Sequence, residues 1–464
     1  MDIEKLKQKI LDLAIRGKLV PQDPNDEPAS VLIEKIRKEK EELIKQGKIK
    51  RDKNESYIYK GSDNCYYEKI GSEVKNITDE LPFEIPTNWT WCKLKTVLDV
   101  RDGTHDSPKY YSEGIPFVTS KCLKNNTIDF SLCKLISLED AKKFNERSYV
   151  DDKDILFAMI GTIGNATIVN KDREFSIKNV ALFKNINRNL LSEKYIKYIL
   201  DCLTNKMIEK TSSGLQPFVS LDFLRNYIVP IPPIQEQINI VNKLDFVFEK
   251  LMIIKKDRNK LISLIDNAKS KILDYYFGEN SCYKSYFMNK SKEHLKNFIP
   301  SKYIGDGDWV LSENMDPNGS YKLIQLKHIG NNVYLDKPYN TVNREFVNQN
   351  NCSIITSGTL LINRLVADRM NCCILPETTN KHITSVDVCW IAKNDIIDNE
   401  YLMYLLSSPS FQSDVMNKCS GSTRKRISKK NLLDIKVFFH NYEYQLIIKT
   451  KIQEIFYFLD SINI

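Results

Sequence analysis

A stretch of about forty residues occurs twice in this chain, and a repeat of that length limits the possible folds more than any other feature. Ser213-Gly214 to Ile254 lines up with Ser420-Gly421 to Ile462, about 208 positions later. The first copy reads FLRNYIVPIPPIQEQINIVNKLDFVFEKL from Phe223, and the second reads NLLDIKVFFHNYEYQLIIKTKIQEIFYFL from Asn431. Val229 falls on Val437, Gln237 on Gln445, Leu244 on Ile452, Phe248 on Phe456 and Leu251 on Leu459. Upstream the match is looser, with Ser120-Lys121 answering Leu326-Lys327 and Ile155-Leu156 answering Leu360-Leu361.

Helical patterning fills the end of each copy. In the first, apolar residues recur at Ile234, Ile238, Val241, Leu244, Phe248, Leu251 and Ile254, then at Leu261, Ile265, Ala268, Ile272 and Tyr275. Steps alternating three and four are those of a coiled-coil seam. Pro232-Pro233 suits the start of the helix and Gly278 its stop. At about 1.5 Å per residue, roughly 44 residues give a rod of about 66 Å. The second copy ends at Ile464, about halfway along, and its missing half lies at the other end of the chain. Lys9-Ile10-Leu11-Asp12 repeats Lys271-Ile272-Leu273-Asp274, and Gly17 falls near Gly278. The repeat is therefore circular. An ordinary dimerisation helix has no reason to be completed from the opposite end of its own chain. The expected fold is α+β, with two similar domains separated by long antiparallel coiled-coil helices under a circular pseudo-two-fold repeat.

The expected division is a helical segment over 1–50, a charged linker over 51–85, a compact α+β domain over 86–230 and a long helix over 231–278. A polar linker over 279–294, a second α+β domain over 295–440 and a closing helix over 441–464 follow. A length of 464 residues suits two or three domains, and 42% hydrophobic residues can fill their cores. No run of about 18 apolar residues is present, which argues against a membrane span. Met1 to Arg16 is interrupted by Asp2, Glu4 and Asp12, unlike a signal peptide. The 11 cysteines show no CxxC spacing and read as reduced thiols, so a cytoplasmic location is expected.

Several motifs resemble the specificity subunits of type I restriction-modification systems: ILDLAIRGKLVPQDPNDEPAS from Ile10 to Ser30, and Asp102-Gly103-Thr104-His105-Asp106-Ser107-Pro108. IPFVTS from Ile115 to Ser120, IPPIQEQ from Ile231 to Gln237 and GSTRKRIS from Gly421 to Ser428 add to them. The second half departs from the pattern where Phe439 to Gln445 replaces the proline-rich run, and it lacks the Asp-Gly-Thr-His element. The resemblance implies two target-recognition domains, each reading one half of a bipartite double-stranded DNA site. It also implies docking of two modification subunits on the helices, with restriction subunits further out. S-adenosylmethionine, ATP and Mg2+ would then sit on those partners and no cofactor on this chain. No membrane role is implied.

Side chains suited to phosphate and groove edges pick out the candidate contacts. In the first domain they are Arg101, Thr104, His105, Lys109, Tyr110 and Tyr111, followed by Ser120, Lys121, Ser213 and Gln216. In the second they are Ser422, Thr423, Arg424, Lys425 and Arg426 within the run SGSTRKRISKK. Tyr321, Lys322, Lys327, His328, Arg364 and Arg369 are weaker candidates, and Arg364 and Arg369 could instead serve structural ion pairs. The net charge of +8 permits nucleic-acid binding without requiring it.

Signatures of chemistry are missing from the sequence. There is no GxxxxGK[ST] loop, no methyl-donor signature, and the five histidines make no metal-spacing pattern. No catalytic or metal-binding residue is therefore expected. Two alternatives remain open: a nuclease or methyltransferase with an unrecognised site, and a coiled-coil scaffold with no DNA role.

Overall fold

The computed structural model describes residues 2–52, 54–211, 218–278, 281, 283–288, 291–421 and 424–462. Two compact units emerge, Met1–Lys255 and Lys256–Ile464.

Unit 1 is built around an antiparallel four-stranded sheet in the order Gly164–Ile168, Ile155–Ala158, Val180–Asn185, Leu98–Asp102. Ile155–Ala158 is buried throughout, as befits an inner strand covered on both faces. Leu98–Asp102 alternates, burying Leu98, Val100 and Asp102. A second sheet orders Ser176–Ile177, Ile115–Val118 and Lys134–Ile136, the first pair parallel and the second antiparallel.

Unit 2 repeats this plan. Its four strands run Cys372–Ile374, Leu360–Asn363, Val388–Ile391, Ile304–Asp306, all antiparallel. Its three-stranded sheet orders Lys381–Thr384, Tyr321–Ile324 and Asn340–Val342, again parallel and then antiparallel. The correspondence extends to single residues. Ser120–Cys122 and Leu326–His328 are both 3-10 helices closed by a capping box.

Three helices carry the repeated block. The N-terminal helix is Ile3–Ile15, the long helix Ile234–Phe277 and the C-terminal helix Tyr442–Asp460. Asp2 caps the first through the backbone N–H groups of Glu4 and Lys5, and Asn441 caps the last through that of Tyr444. Gly17 adopts φ +66°, the left-handed turn that stops a helix.

Leu11, Ala14 and Ile15 pack into the core of unit 1 beside Ile240, Val241 and Leu244 of the long helix. In unit 2, Leu273, Tyr276 and Phe277 of the long helix pack beside Ile448, Ile452 and Phe456 of the C-terminal helix. The matched KILD motifs thus place Leu11 and Leu273 in corresponding cores.

Gln237 and Gln445 make the same bonds. The Gln237 amide accepts from the backbone N–H of Ser192 at 2.9 Å and donates to the Pro232 carbonyl at 3.0 Å. The Gln445 amide accepts from Asp398 N–H at 3.0 Å and donates to the His440 carbonyl at 2.9 Å. Each ties its helix to the start of the neighbouring helix, Glu193–Thr211 or Asn399–Leu406.

Two expectations need correction. The segment read as a charged linker over 51–85 carries an antiparallel sheet of Ser56–Lys60, Tyr66–Ile70 and Glu73–Asn76. Ile58 and Ile77 pack on Trp91 beneath it, while the strand Glu73–Asn76 is exposed throughout. The seam of the long helix is also interrupted, because Ile238, Ile254, Leu261 and Tyr275 are exposed. Packing against a globular core keeps Val241 and Leu244 of that seam and adds Ile240 at one end, and at the other end it uses Leu273, Tyr276 and Phe277 instead.

Candidate nucleic-acid interface

In unit 1 the strand Leu98–Asp102 runs into the loop Gly103 to Tyr111, and close backbone contact fixes where that loop begins. The N–H of Gly103 donates to the Val180 carbonyl at 3.0 Å and that of Thr104 to the Ile177 carbonyl at 3.1 Å. A side chain on Gly103 would meet the Ile177 carbonyl oxygen at 2.3 Å, so glycine is required there. Buried Asp102 then holds the loop, taking an ion pair from Arg147 and a contact at 3.0 Å from His105 Nε2. His105 Nδ1 meets Asn179 Oδ1 at 2.6 Å, so both ring nitrogens are engaged. Lys178 donates to Ser107 at 2.7 Å. Lys109 lies 5.7 Å from the ring of Tyr111, and Lys134 lies 4.2 Å from that of Tyr110. Both tyrosines are exposed.

The 3-10 helix Ser120–Cys122 borders this loop. Ser120 donates to the Asn179 carbonyl at 3.4 Å, and Lys121 is exposed with no hydrogen bond or ion pair among the described residues. Cys122 closes the capping box, accepting from Thr119 N–H at 3.4 Å. The Cys133 thiol donates to it at 3.2 Å, which lowers the pKa of the Cys122 thiol.

Arg101 faces elsewhere. It pairs with Asp99 at 2.6 Å and donates to the carbonyls of Arg147 and Lys48, so its guanidinium is used within the fold. Arg101, expected as a contact, is thus engaged within the fold. Arg364 is likewise turned inward: it is buried, pairs with Asp306 at 3.3 Å and donates to the Val386 carbonyl. His328 is fully buried, its ring stacked on Tyr339 at 4.7 Å, and burial lowers its pKa.

The second half does possess a counterpart of the Asp-Gly-Thr-His loop. Asp306-Gly307-Asp308 repeats its backbone bonds: Gly307 N–H to the Val388 carbonyl at 2.8 Å, and Asp308 N–H to the Thr384 carbonyl at 2.8 Å. A side chain on Gly307 would meet the Ser385 carbonyl oxygen at 2.1 Å. Only the Asp-Gly pair survives in sequence, too little to find without the strand pairing around it.

The basic run of unit 2 is partly anchored. Lys425 and Arg426 form a short strand against Leu365 and Val366. Arg426 pairs with Asp387 at 2.9 Å, and Lys429 pairs with Asp306 at 3.1 Å. Arg424 is exposed, with no hydrogen bond or ion pair among the described residues, and so is Lys327. Lys322 is half-buried, 4.9 Å from the ring of Tyr339. Ser213, Gln216, Ser422 and Thr423 lie outside the described residues. Among the described residues no group of three or more His, Cys, Asp or Glu could hold a metal ion. Nor is any helix among them long and apolar enough to cross a membrane.

Two of the sequence motifs prove to be partners. Glu236, buried in the IPPIQEQ run, accepts from Trp89 Nε1 at 2.8 Å and from Gln22 of the amino-terminal motif. Burial raises its pKa. Tyr444 stands at the corresponding place in unit 2, where it stacks on Tyr286 at 4.1 Å. The divergent run Phe439 to Gln445 therefore keeps the glutamine that clamps the helix and replaces the glutamate.

Known proteins bear on this geometry. The chain is similar to the Type I restriction enzyme EcoAI specificity subunit of Escherichia coli, 31% identical over 280 residues, covering 58% of this chain and 42% of that protein. It is also similar to the EcoEI specificity subunit of Escherichia coli, 32% identical over 261 residues, covering 54% and 39%. It thus spans about two fifths of the length of these curated relatives. A solved chain from work on complex assembly and conformational transition of the type I R-M system superposes with a TM-score of 0.58 at 16% identity. It covers 82% of this chain and 93% of its own, a likeness of fold alone. A family model described as the type I restriction modification DNA specificity domain matches residues 86–263 and 295–460. With those two matches covering well over half its length, the chain belongs to the type I restriction modification DNA specificity family.

Proposed function

We propose that this chain is the DNA-reading, non-catalytic subunit of a type I restriction-modification assembly, with readers over about 86–230 and 295–440 that each recognise one half of a bipartite duplex site. One observation carries the reading. The same two sheets and the same glycine-clamped loop occur twice, with different side chains on the loop: Thr104-His105 in one unit and Asp308-Trp309 in the other. Phosphate contacts fix a reader's register while side chains at groove edges choose bases. Two like scaffolds with unlike loops therefore suit two unlike half-sites. In unit 1 the contacts would come from Thr104, His105, Lys109, Tyr110, Tyr111, Ser120 and Lys121, with Ser213 and Gln216 of the repeated block as further candidates. In unit 2 they would come from Lys322, Lys327 and Ser422 to Arg426.

The circular, pseudo-two-fold arrangement is part of this proposal. It is supported by Leu11 and Leu273 holding matching positions in their cores. The long helix, unbroken over 44 residues, would set a constant spacer between the half-sites. Exposed apolar side chains on it, among them Phe246, Met252 and Leu264, suit docking of modification subunits, as do Tyr457 and Phe458 on the C-terminal helix. Methylation, translocation and cleavage, with S-adenosylmethionine, ATP and Mg2+, then belong to those modification and restriction partners.

Replacing residues 86–230 with a homologous reader, followed by methylation mapping in cells that carry the modification subunit, tests the proposal. One half of the methylated motif should change. A change in both halves would overturn the two-reader assignment. Turnover by the purified chain alone, given magnesium, methyl donor and ATP, would favour an enzyme instead.

A further inference from the structure

We propose that Trp309 is a base-contacting residue of unit 2, supplying an apolar contact to the DNA duplex; the inference rests on the DNA-reading role proposed above. Trp309 follows Asp306-Gly307-Asp308 as His105 follows Asp102-Gly103-Thr104. The corresponding backbone bonds, Gly103 to Val180 and Gly307 to Val388, put the two side chains at the same place on the same loop. Thr104 bridges to Lys178 and Asp308 bridges to Ser385, both in parallel fashion. The equivalence is therefore geometric and not only positional.

The indole is 68% exposed, with no hydrogen bond, ring contact or cation against it among the described residues. Exposing so large an apolar side chain to water is unfavourable, and burying one in a complex is favourable. The residues on either side are nonetheless fixed. Asp308 is held by its backbone bond to Thr384 and accepts from Ser353 N–H at 3.2 Å. Val310 packs against the cluster of Tyr321, Leu323 and Ile383. The loop thus presents the ring from anchored backbone, the condition for a preorganised contact.

Charge identifies the occupant. Ser385 N–H donates to the Ile324 carbonyl, so the strand end beside Asp308 also leads into the 3-10 helix that exposes Lys327. An exposed aromatic ring on an anchored loop, with Lys327 exposed on an adjoining element, suits a polyanion with apolar groups on its groove edge. A duplex offers these as phosphates and thymine methyls.

The test uses the full chain assembled with its modification subunits and a duplex bearing the motif returned by methylation mapping. Of the four tryptophans, Trp89 and Trp91 are buried and Trp390 donates to the Asp306 carbonyl at 3.1 Å. Trp309 is therefore the most exposed indole of this chain, and the difference in acrylamide quenching between the parent and Trp309→Phe assemblies assigns its component. Site duplex should suppress quenching towards the level of the Trp309→Phe assembly. Trp309→Ala should weaken binding of the site duplex by about tenfold, the scale of one good base contact. If the duplex binds tightly, as followed by anisotropy of a labelled strand, yet Trp309 stays quenchable, the proposal fails and the DNA-reading role stands. Protection by modification subunits before DNA is added would assign the ring to a protein interface and overturn the proposal. Absence of any DNA binding would overturn the underlying role, and the proposal with it.

Discussion

His440 shows how a single side chain can differ in meaning from its sequence context. It occupies the run that diverges from the proline-rich pattern, yet its ring is wholly buried and bonds Tyr401 Oη at 2.8 Å. Phe277, Tyr283 and Phe287 surround it. Burial drives its pKa from 6.5 down to about 4. In the unfolded chain the imidazole protonates near its ordinary value, so between about pH 6.5 and 4 the unfolded state binds the extra proton. Stability from this group is fully present above pH 6.5 and is lost as pH falls, about 3 kcal/mol by pH 4. His328 and His382 are lowered by burial too, and add to the slope in unit 2. His440→Phe should flatten the pH dependence of unfolding by close to one proton over that window, and an unchanged slope would refute the assignment. The same scale explains where residue-by-residue reading of the sequence reached its limit. Arg101 and Arg364 have the composition of a DNA contact but sit beside Asp99 and Asp306. Which partner a cation meets depends on strand register. Lys121 and Lys327, equally anonymous in sequence, are left exposed.

Helices were far more legible than strands. Apolar residues at steps of three and four, with Pro232-Pro233 before them and Gly278 after them, leave little choice of boundaries, and the helix runs Ile234–Phe277. Short strands such as Ser176–Ile177 carry no period long enough to detect, and the sheet over 56–76 lay hidden in a charged stretch. What fixes the helices to their units is side-chain hydrogen bonding by one repeated residue. Gln237 and Gln445 are each fully buried and satisfied by two backbone partners. Removing the amide leaves a buried N–H and a buried carbonyl unpaired, at a cost of about 1–3 kcal/mol each. Gln237→Ala should lower the stability of unit 1 alone and Gln445→Ala that of unit 2 alone, by about 2–5 kcal/mol once side-chain packing is included. Hydrogen exchange resolved along the chain would register both changes. Loss of protection in both units from either substitution would show that the glutamines do not act locally.

At the scale of the whole molecule, the repeat of about forty residues made the two-part architecture readable before any strand could be assigned. Matching KILD motifs at the amino terminus and in the long helix implied two equivalent cores, each completed from a distant part of the sequence. The loops on those cores were legible only where their residues recur, because a repeat reports what is kept and a reader's loop is where the copies differ. This division makes electrostatic contacts separable. Lys121 and Lys327 stand at the same position of corresponding 3-10 helices in different units. If each neutralises one phosphate, each substitution to alanine should reduce the slope of log affinity against log salt by about 0.9, and the double variant by about 1.8. Contacts with no shared partners add within about 0.5 kcal/mol, so the losses in affinity should sum as well. Arg101→Met, which removes a cation already paired with Asp99, should leave the slope unchanged. Equilibrium titration of labelled duplex from low to moderate salt measures all four proteins. A double variant no weaker than the single ones would mean that only one unit touches DNA at a time, and a bipartite site would then require the two readers to act in turn.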